Sequence, residues 1–291
     1  MKPKHLLLML LINLLWGANF IAAKWAVVEF PPVFAASIRF LIVFLLLLPF
    51  LKIVKGKMKP LLETAITLSA FHFGLLFFAI ALTDEMSVIV IGTLINVPFA
   101  TLLAVMFLGE KLGWRRILGL FFAFAGLFVL VFDPRAFMFL DALMLVVLSA
   151  LAYAVGTIFM RRLSGIHPMT LQAWVGVIGF PTLLILSLYF EEGHLAALEG
   201  ASLKAYGSIV YSAIAASIIG HGGIYYLLQK YPITIIAPQT LMAQVFAIIF
   251  GILILGDVLT LEMAIGGALT FLGVIIITLR SKREPKVIEK I

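Results

Sequence analysis

The sequence predicts an all-α integral membrane protein of ten transmembrane helices, built as two inverted five-helix repeats. Three observations lead there. Apolar residues fill 64% of the 291 positions and charged residues 12%, with a mean hydropathy of +1.19, a balance foreign to water-soluble domains. Apolar runs of about 20 residues, each enough to cross roughly 30 Å of hydrocarbon as a helix, recur from end to end. The chain also aligns with itself in its second and fourth quarters. No stretch remains for a soluble catalytic domain, and the absence of Cys excludes disulfides and thiol chemistry.

Breaks at Pro, Gly and charge clusters place the spans at 5–27, 33–52, 61–82, 86–108, 114–132, 139–161, 169–190, 206–228, 233–255 and 262–280. The first follows Met1-Lys2-Pro3-Lys4 but lacks a clean cleavage site and carries Asn13, Trp16, Asn19 and Lys24, so it reads as a retained helix, not a signal peptide. An even number of crossings puts both termini on one side. With that side inside, Lys and Arg crowd the inner segments, and only Lys24, Arg135 and Lys204 fall outside. This bias predicts a multi-pass plasma-membrane protein with cytoplasmic termini. It also accounts for the net charge of +7 without a nucleic-acid partner. The charged tail Ser281–Ile291, with Pro285, is expected to be a poorly ordered cytoplasmic end.

The internal match runs ungapped from Thr93 on Thr240. It aligns Gly109-Glu110 with Gly256-Asp257, Gly119 with Gly266 and Gly126 with Gly273. A weaker match joins Trp16–Lys24 to Tyr153–Arg161. The repeats are thus 1–135 and 136–280. Five helices per repeat invert the second half, the plan of secondary transporters.

Several stretches resemble the drug/metabolite transporter superfamily, EamA type. They are "LLWGANFIAAKWAV" in span 1, "SIRFLIVFLLLLP" in span 2, "NVPFATLLAVMFLGEKL" with "LGLFFAFAGLFVL" in spans 4 and 5, and "LILGDVLTLEMAIGGALTFLGVIIITL" in spans 9 and 10. The resemblance covers nearly the whole chain. It implies ten helices, alternating access around a central cavity, and export of amino acids or related small metabolites. Val245 stands where span 4 has Pro98, so a kink there need not be mirrored in span 9.

Polar groups deep in a span must face protein or a cavity, which makes them the site candidates. In span 1, Asn13, Trp16 and Phe20 share a face with Asn19 beside it; they form either a solute wall or a packing surface eased by Gly17. Lys24 is expected to snorkel to the surface. Arg39 is the strong charge well inside a span. Its fork suits a carboxylate, or it bonds helix-end carbonyls or Glu29. Span 4 offers Thr93 and Asn96 followed by Pro98, a gating joint or binding feature; span 9 offers Gln239, Thr240 and Gln244 at the equivalent place. His72 and His221 are near-symmetric candidates for a coupling proton, or else hydrogen-bonding core residues. Ser217, His221 and Tyr225 fall on one stripe, with Gly222 a candidate flexing point. Tyr153 and Thr157 share a face of span 6, and Trp174 adds an aromatic group in span 7.

No His-Glu-x-x-His, Gly-x-Ser-x-Gly or phosphate-loop motif occurs. Neither an intramembrane enzyme nor an ATP-driven pump finds support, and no filter-like loop suggests a channel. The expectation is a transporter without cofactor or metal. Its partners are a small-molecule substrate and the bilayer, with protons as the candidate coupling ion and a monomer or weak dimer as the assembly. A broad exporter of amphipathic drugs or amines is the alternative.

Overall fold

The computed structural model describes residues 1–109, 113–131 and 138–278; Glu110, Arg135 and the tail Ser281–Ile291 lie outside the described residues. Among the described residues, seven helices are long and apolar enough to cross a membrane. They are α1 (Pro3–Glu29), α2 (Pro32–Phe50), α3 (Met58–Ala81), α4 (Met86–Leu108), α6 (Leu140–Arg162), α7 (Pro168–Phe190) and α8 (Leu203–Leu228). Three further helical segments carry shorter apolar stretches: α5 (Trp114–Val131), α9 (Ile233–Gln239 continued by Leu241–Leu255) and α10 (Leu261–Thr278). A short surface helix, His194–Gly200, lies between α7 and α8.

The element ends follow from local chemistry. Pro3, Pro32 and Pro168 occupy first-turn positions where a missing N–H costs nothing. Ser202 caps α8 by accepting from Ala205 N at 3.2 Å. The aligned glycines Gly109 and Gly256 close α4 and α9 with φ of 66° and 77°, a left-handed end that needs no Cβ.

Helix α4 breaks at Leu94–Ile95 and α9 breaks at Thr240. A break is present in α9 as well, although Val245 stands where α4 has Pro98. A threonine device common to both explains this. Thr93 Oγ1 donates to Val90 O at 2.7 Å and Thr240 Oγ1 to Ala237 O at 2.6 Å, each taking a carbonyl three residues back while the backbone tightens to three-residue hydrogen bonds. Helices α3 and α8 are matched in another way. Each contains a widened π stretch, Thr67–Gly74 in α3 and Ser212–His221 in α8.

Packing is organised by exchange between the halves. Helix α1 lies against α8 and α9, while its counterpart α6 lies against α3 and α4. Like helices also pair, α2 with α7 and α5 with α10. The α5–α10 contact uses the glycines that align in the repeat: a methyl on Gly126 would strike Gly266 O and Thr270 N, and one on Gly273 would strike Gly119 O and Ala123 N. Backbones this close are how helices associate where lipid supplies no hydrophobic drive.

Polar links tie both ends of the bundle. At the N-terminal end, His5 Nδ1 lies 2.7 Å from Tyr231 Oη, Lys57 Nζ donates to Ser164 O at 2.7 Å, and Arg161 donates to Leu228 O. At the opposite end, Lys24 is not merely snorkelling: its Nζ donates to Thr83 O at 2.6 Å and pairs with Asp84 at 3.1 Å. Carboxylates there occupy helix N-termini, as the macrodipole favours. Glu191 accepts from Val33 N and Phe34 N at 2.8 and 3.0 Å, Glu29 from Ser202 N at 2.6 Å, and Asp257 from Ser87 N at 3.0 Å.

Candidate functional site

The middle of the bundle gathers charge, imidazole and aromatic rings from both halves. Arg39 on α2 is completely buried. Its Nε donates to Ser217 Oγ on α8 at 2.8 Å, and its Cζ stands 4.2 Å from the centroid of Phe73 on α3. Both terminal guanidinium nitrogens are buried without a hydrogen-bond partner among the described residues. Of the alternatives open to Arg39, the pairing with Glu29 does not occur, because Glu29 is engaged with Ser202 N and Oγ at the end of α1. A buried cation lacking both counter-ion and full hydrogen bonding is costly, and the ring faces around Arg39 offset only part of that cost.

The two histidines meet the same cluster. His221 packs on Trp16 at 4.7 Å and meets Phe73 at 5.2 Å and Tyr153 at 5.9 Å between ring centroids. His72 lies 4.9 Å from Tyr153. Its Nδ1 sits 2.8 Å from Ser149 Oγ and 3.1 Å from Ser149 O, an acceptor that calls for the proton on Nδ1, while Ser149 Oγ donates to His72 O at 2.9 Å. Trp16 is fixed by donating to Ala216 O at 3.1 Å. Both histidines lie in π stretches, His221 at the end of its own and His72 two residues before the end of the other, and the widened turns set the direction of both imidazoles.

Tyr153 connects this cluster to a second polar layer. A cavity of about 20 Å³ is lined by Asn96, Tyr153, Thr157 and Thr240, among others. Such a volume holds about one water, so the centre is closed in this conformation. Asn96 Oδ1 is buried without a partner among the described residues. Thr157 Oγ1 donates to Tyr153 O at 2.9 Å. Gln244 Nε2 lies 3.5 Å from Thr93 Oγ1; with the amide turned, its nitrogen donates to Thr240 O at 2.7 Å. Asn13 Nδ2 donates to Gln239 O at 2.9 Å, and Gln239 also reaches Met1 Sδ. Asn19 Oδ1 is buried without a partner among the described residues, Phe20 packs against the main core, and Pro98 is buried just beyond the break in α4.

Three candidates stand apart from the centre. Trp174 donates to Lys52 O at 3.0 Å, in the connection that follows α2. Tyr225 donates to Leu163 O and leaves the stripe expected with Ser217 and His221, because the π stretch changes the helical phase between them. Gly222 abuts Met169 on α7, where an added methyl would meet Cε at 2.8 Å. Conversely, Phe73 and Ser149 belong to the cluster without having been singled out in the sequence; adjacency to His72 and an i−4 relation to Tyr153 were the available signals.

Comparison with known proteins places this architecture in company. The sequence profile of the EamA-like transporter family matches residues 3–132 and again 140–279. Proteins named "Probable amino-acid metabolite efflux pump" from Salmonella typhimurium and Escherichia coli are each 27% identical over 284 residues, covering 95% of this chain and 95% of theirs. An uncharacterized transporter of Archaeoglobus fulgidus is 28% identical over 269 residues, covering 90% of this chain and 94% of its own. One solved crystal structure superposes with a TM-score of 0.72 at 16% identity, covering 98% of this chain and 100% of that one. That likeness concerns the fold alone.

Proposed function

This chain belongs to the EamA-like transporter family and is a multi-pass membrane protein, and on that premise we propose that it is a secondary transporter exporting amino acids or related small metabolites by alternating access. The carrying observation is the central cluster, in which Trp16, Arg39, His72, Tyr153, Ser217 and His221 converge from α1, α2, α3, α6 and α8, hence from both repeats. In the proposed membrane topology ten helices cross, the two repeats are inverted and both termini are cytoplasmic. Two relatives bear names denoting amino-acid metabolite efflux, which supports the substrate class.

The mechanism follows from the packing. The groups α1–α8–α9 and α6–α3–α4 rock against each other about the central residues, opening the closed centre to one face and then the other. The paired breaks at Thr93 and Thr240 give α4 and α9 equivalent joints. His72 and His221 are the groups that would take up a coupling proton.

Purified protein reconstituted in liposomes tests this. Saturable counterflow of a labelled amino acid is expected, and Asn96→Ala and Gln244→Ala should each lower it about tenfold, the effect of one lost hydrogen bond of roughly 1–1.5 kcal/mol, without loss of folded protein. Wild-type rates in both variants would remove the α4–α9 layer from the solute path.

A further inference from the structure

Within that transporter reading, we propose that Arg39 is the carboxylate-binding group of the solute site. The solute class is a monocarboxylate with an apolar or aromatic body, and an ammonium group on it is dispensable.

Arg39 is a buried cation with one protein hydrogen bond, Nε to Ser217 Oγ, and two buried terminal nitrogens that no described residue engages. Four acids are committed elsewhere, Glu29 to Ser202, Glu191 to Val33 and Phe34, Asp257 to Ser87, and Asp84 to Lys24, and among the described residues no carboxylate pairs with Arg39. A guanidinium whose Nε is already held presents its remaining donors as a fork, the geometry that receives both oxygens of a carboxylate. One anion neutralises one buried cation, whereas a dianion would bury a charge of its own.

The rest of the surroundings defines the body of the solute. Phe73, Trp16 and Tyr153 bring ring surfaces to the site, and the small cavity beside Tyr153 is otherwise largely aliphatic, with Ile224, Ile233 and Ile236 in its wall. Amide oxygens buried without a partner among the described residues are those of Asn13, Asn19 and Asn96, and Asn96 lines that cavity. An ammonium would find these acceptors but no counter-charge among the described residues. The site therefore tolerates an α-amino group without requiring it.

Three probes sharing one phenyl ring separate these terms: phenylalanine, 3-phenylpropionate and phenethylamine. Melting of the detergent-purified full chain reads binding by mass action. Phenylalanine and 3-phenylpropionate should raise the melting temperature and phenethylamine should not. Arg39→Gln should abolish both shifts, and Arg39→Lys should keep a reduced one, because an ammonium supplies charge without the fork. Should Arg39→Gln fail to fold, the order of the three probes on the wild-type protein still decides. A phenethylamine shift as large as that of 3-phenylpropionate, an undiminished shift in Arg39→Gln, or no shift with either carboxylate overturns the assignment. Liposome flux separates the two readings. Transport that favours the amine keeps a transporter and removes Arg39 from its site, while binding in the expected order with no flux of any probe keeps the site and removes the transporter.

Discussion

Asp257 illustrates how much a single side chain is asked to do. Its carboxylate accepts from Ser87 N and Oγ at 3.0 and 3.2 Å, and Gly251 makes room for it, since a methyl there would meet Oδ2 at 2.7 Å. Burial raises its pKa from the ordinary carboxylate value despite the Ser87 and Met86 donors. A raised folded-state pKa contributes stability that is full below the unfolded value, about 3.9 for Asp, and is lost as pH rises through the folded value. The melting temperature of the wild type relative to Asp257→Asn should therefore fall as pH climbs from about 4 toward neutrality, the asparagine remaining neutral throughout. A pH-independent difference would contradict this. At this scale the sequence was informative where polarity is rare: Arg39, His72, His221, Asn96 and Tyr153 stand out in apolar helices and do converge. Phe73 was hidden among 25 phenylalanines, because in a membrane chain an apolar ring carries no mark of which way it faces.

Elements were legible from hydropathy, because a helix must satisfy its own backbone in lipid and its ends must reach polar surroundings. Spans expected at 86–108 and 233–255 coincide with α4 and α9. Interruptions within helices were harder to read. Pro98 drew attention to α4, yet Thr93 and Thr240 act at both breaks, and the π stretches of α3 and α8 follow no sequence signature. The aligned glycines of α5 and α10 were visible as a repeat but not as mutual contacts. Their packing predicts that Gly126→Val, which drives a branched side chain into Gly266 O and Thr270, costs at least about 1–3 kcal/mol and lowers the melting temperature, whereas Ile117→Val on the exposed surface of α5 does not. Equal melting of Gly126→Val and wild type would show that α5 and α10 do not pack this closely.

For the whole molecule, sequence self-similarity revealed two halves, but not that each lends its first helix to the other. That exchange needs coordinates, because interhelical packing in lipid depends on shape more than on hydrophobicity. It also gives the end contacts their meaning. Lys24 on α1 bonds Thr83 O in the α3–α4 connection, while Arg161, its repeat counterpart on α6, bonds Leu228 O before α9. The first link joins α1 to α3–α4 at one end, the second joins α6 to α8–α9 at the other, and Asp257–Ser87 adds a bridge beside the first. On the proposed mechanism, the two sets of links must break in turn.

The absence of native cysteine makes the decisive measurement direct. Cysteines replacing Ser87 and Asp257, joined by a short bifunctional thiosulfonate, clamp one end shut. Alternating access predicts that the unlinked variant carries solute into liposomes, that linking stops the flux, and that a reductant restores it. Undiminished flux through fully linked protein would show that the groups α1–α8–α9 and α6–α3–α4 need not part at that end, and would contradict alternating access between them.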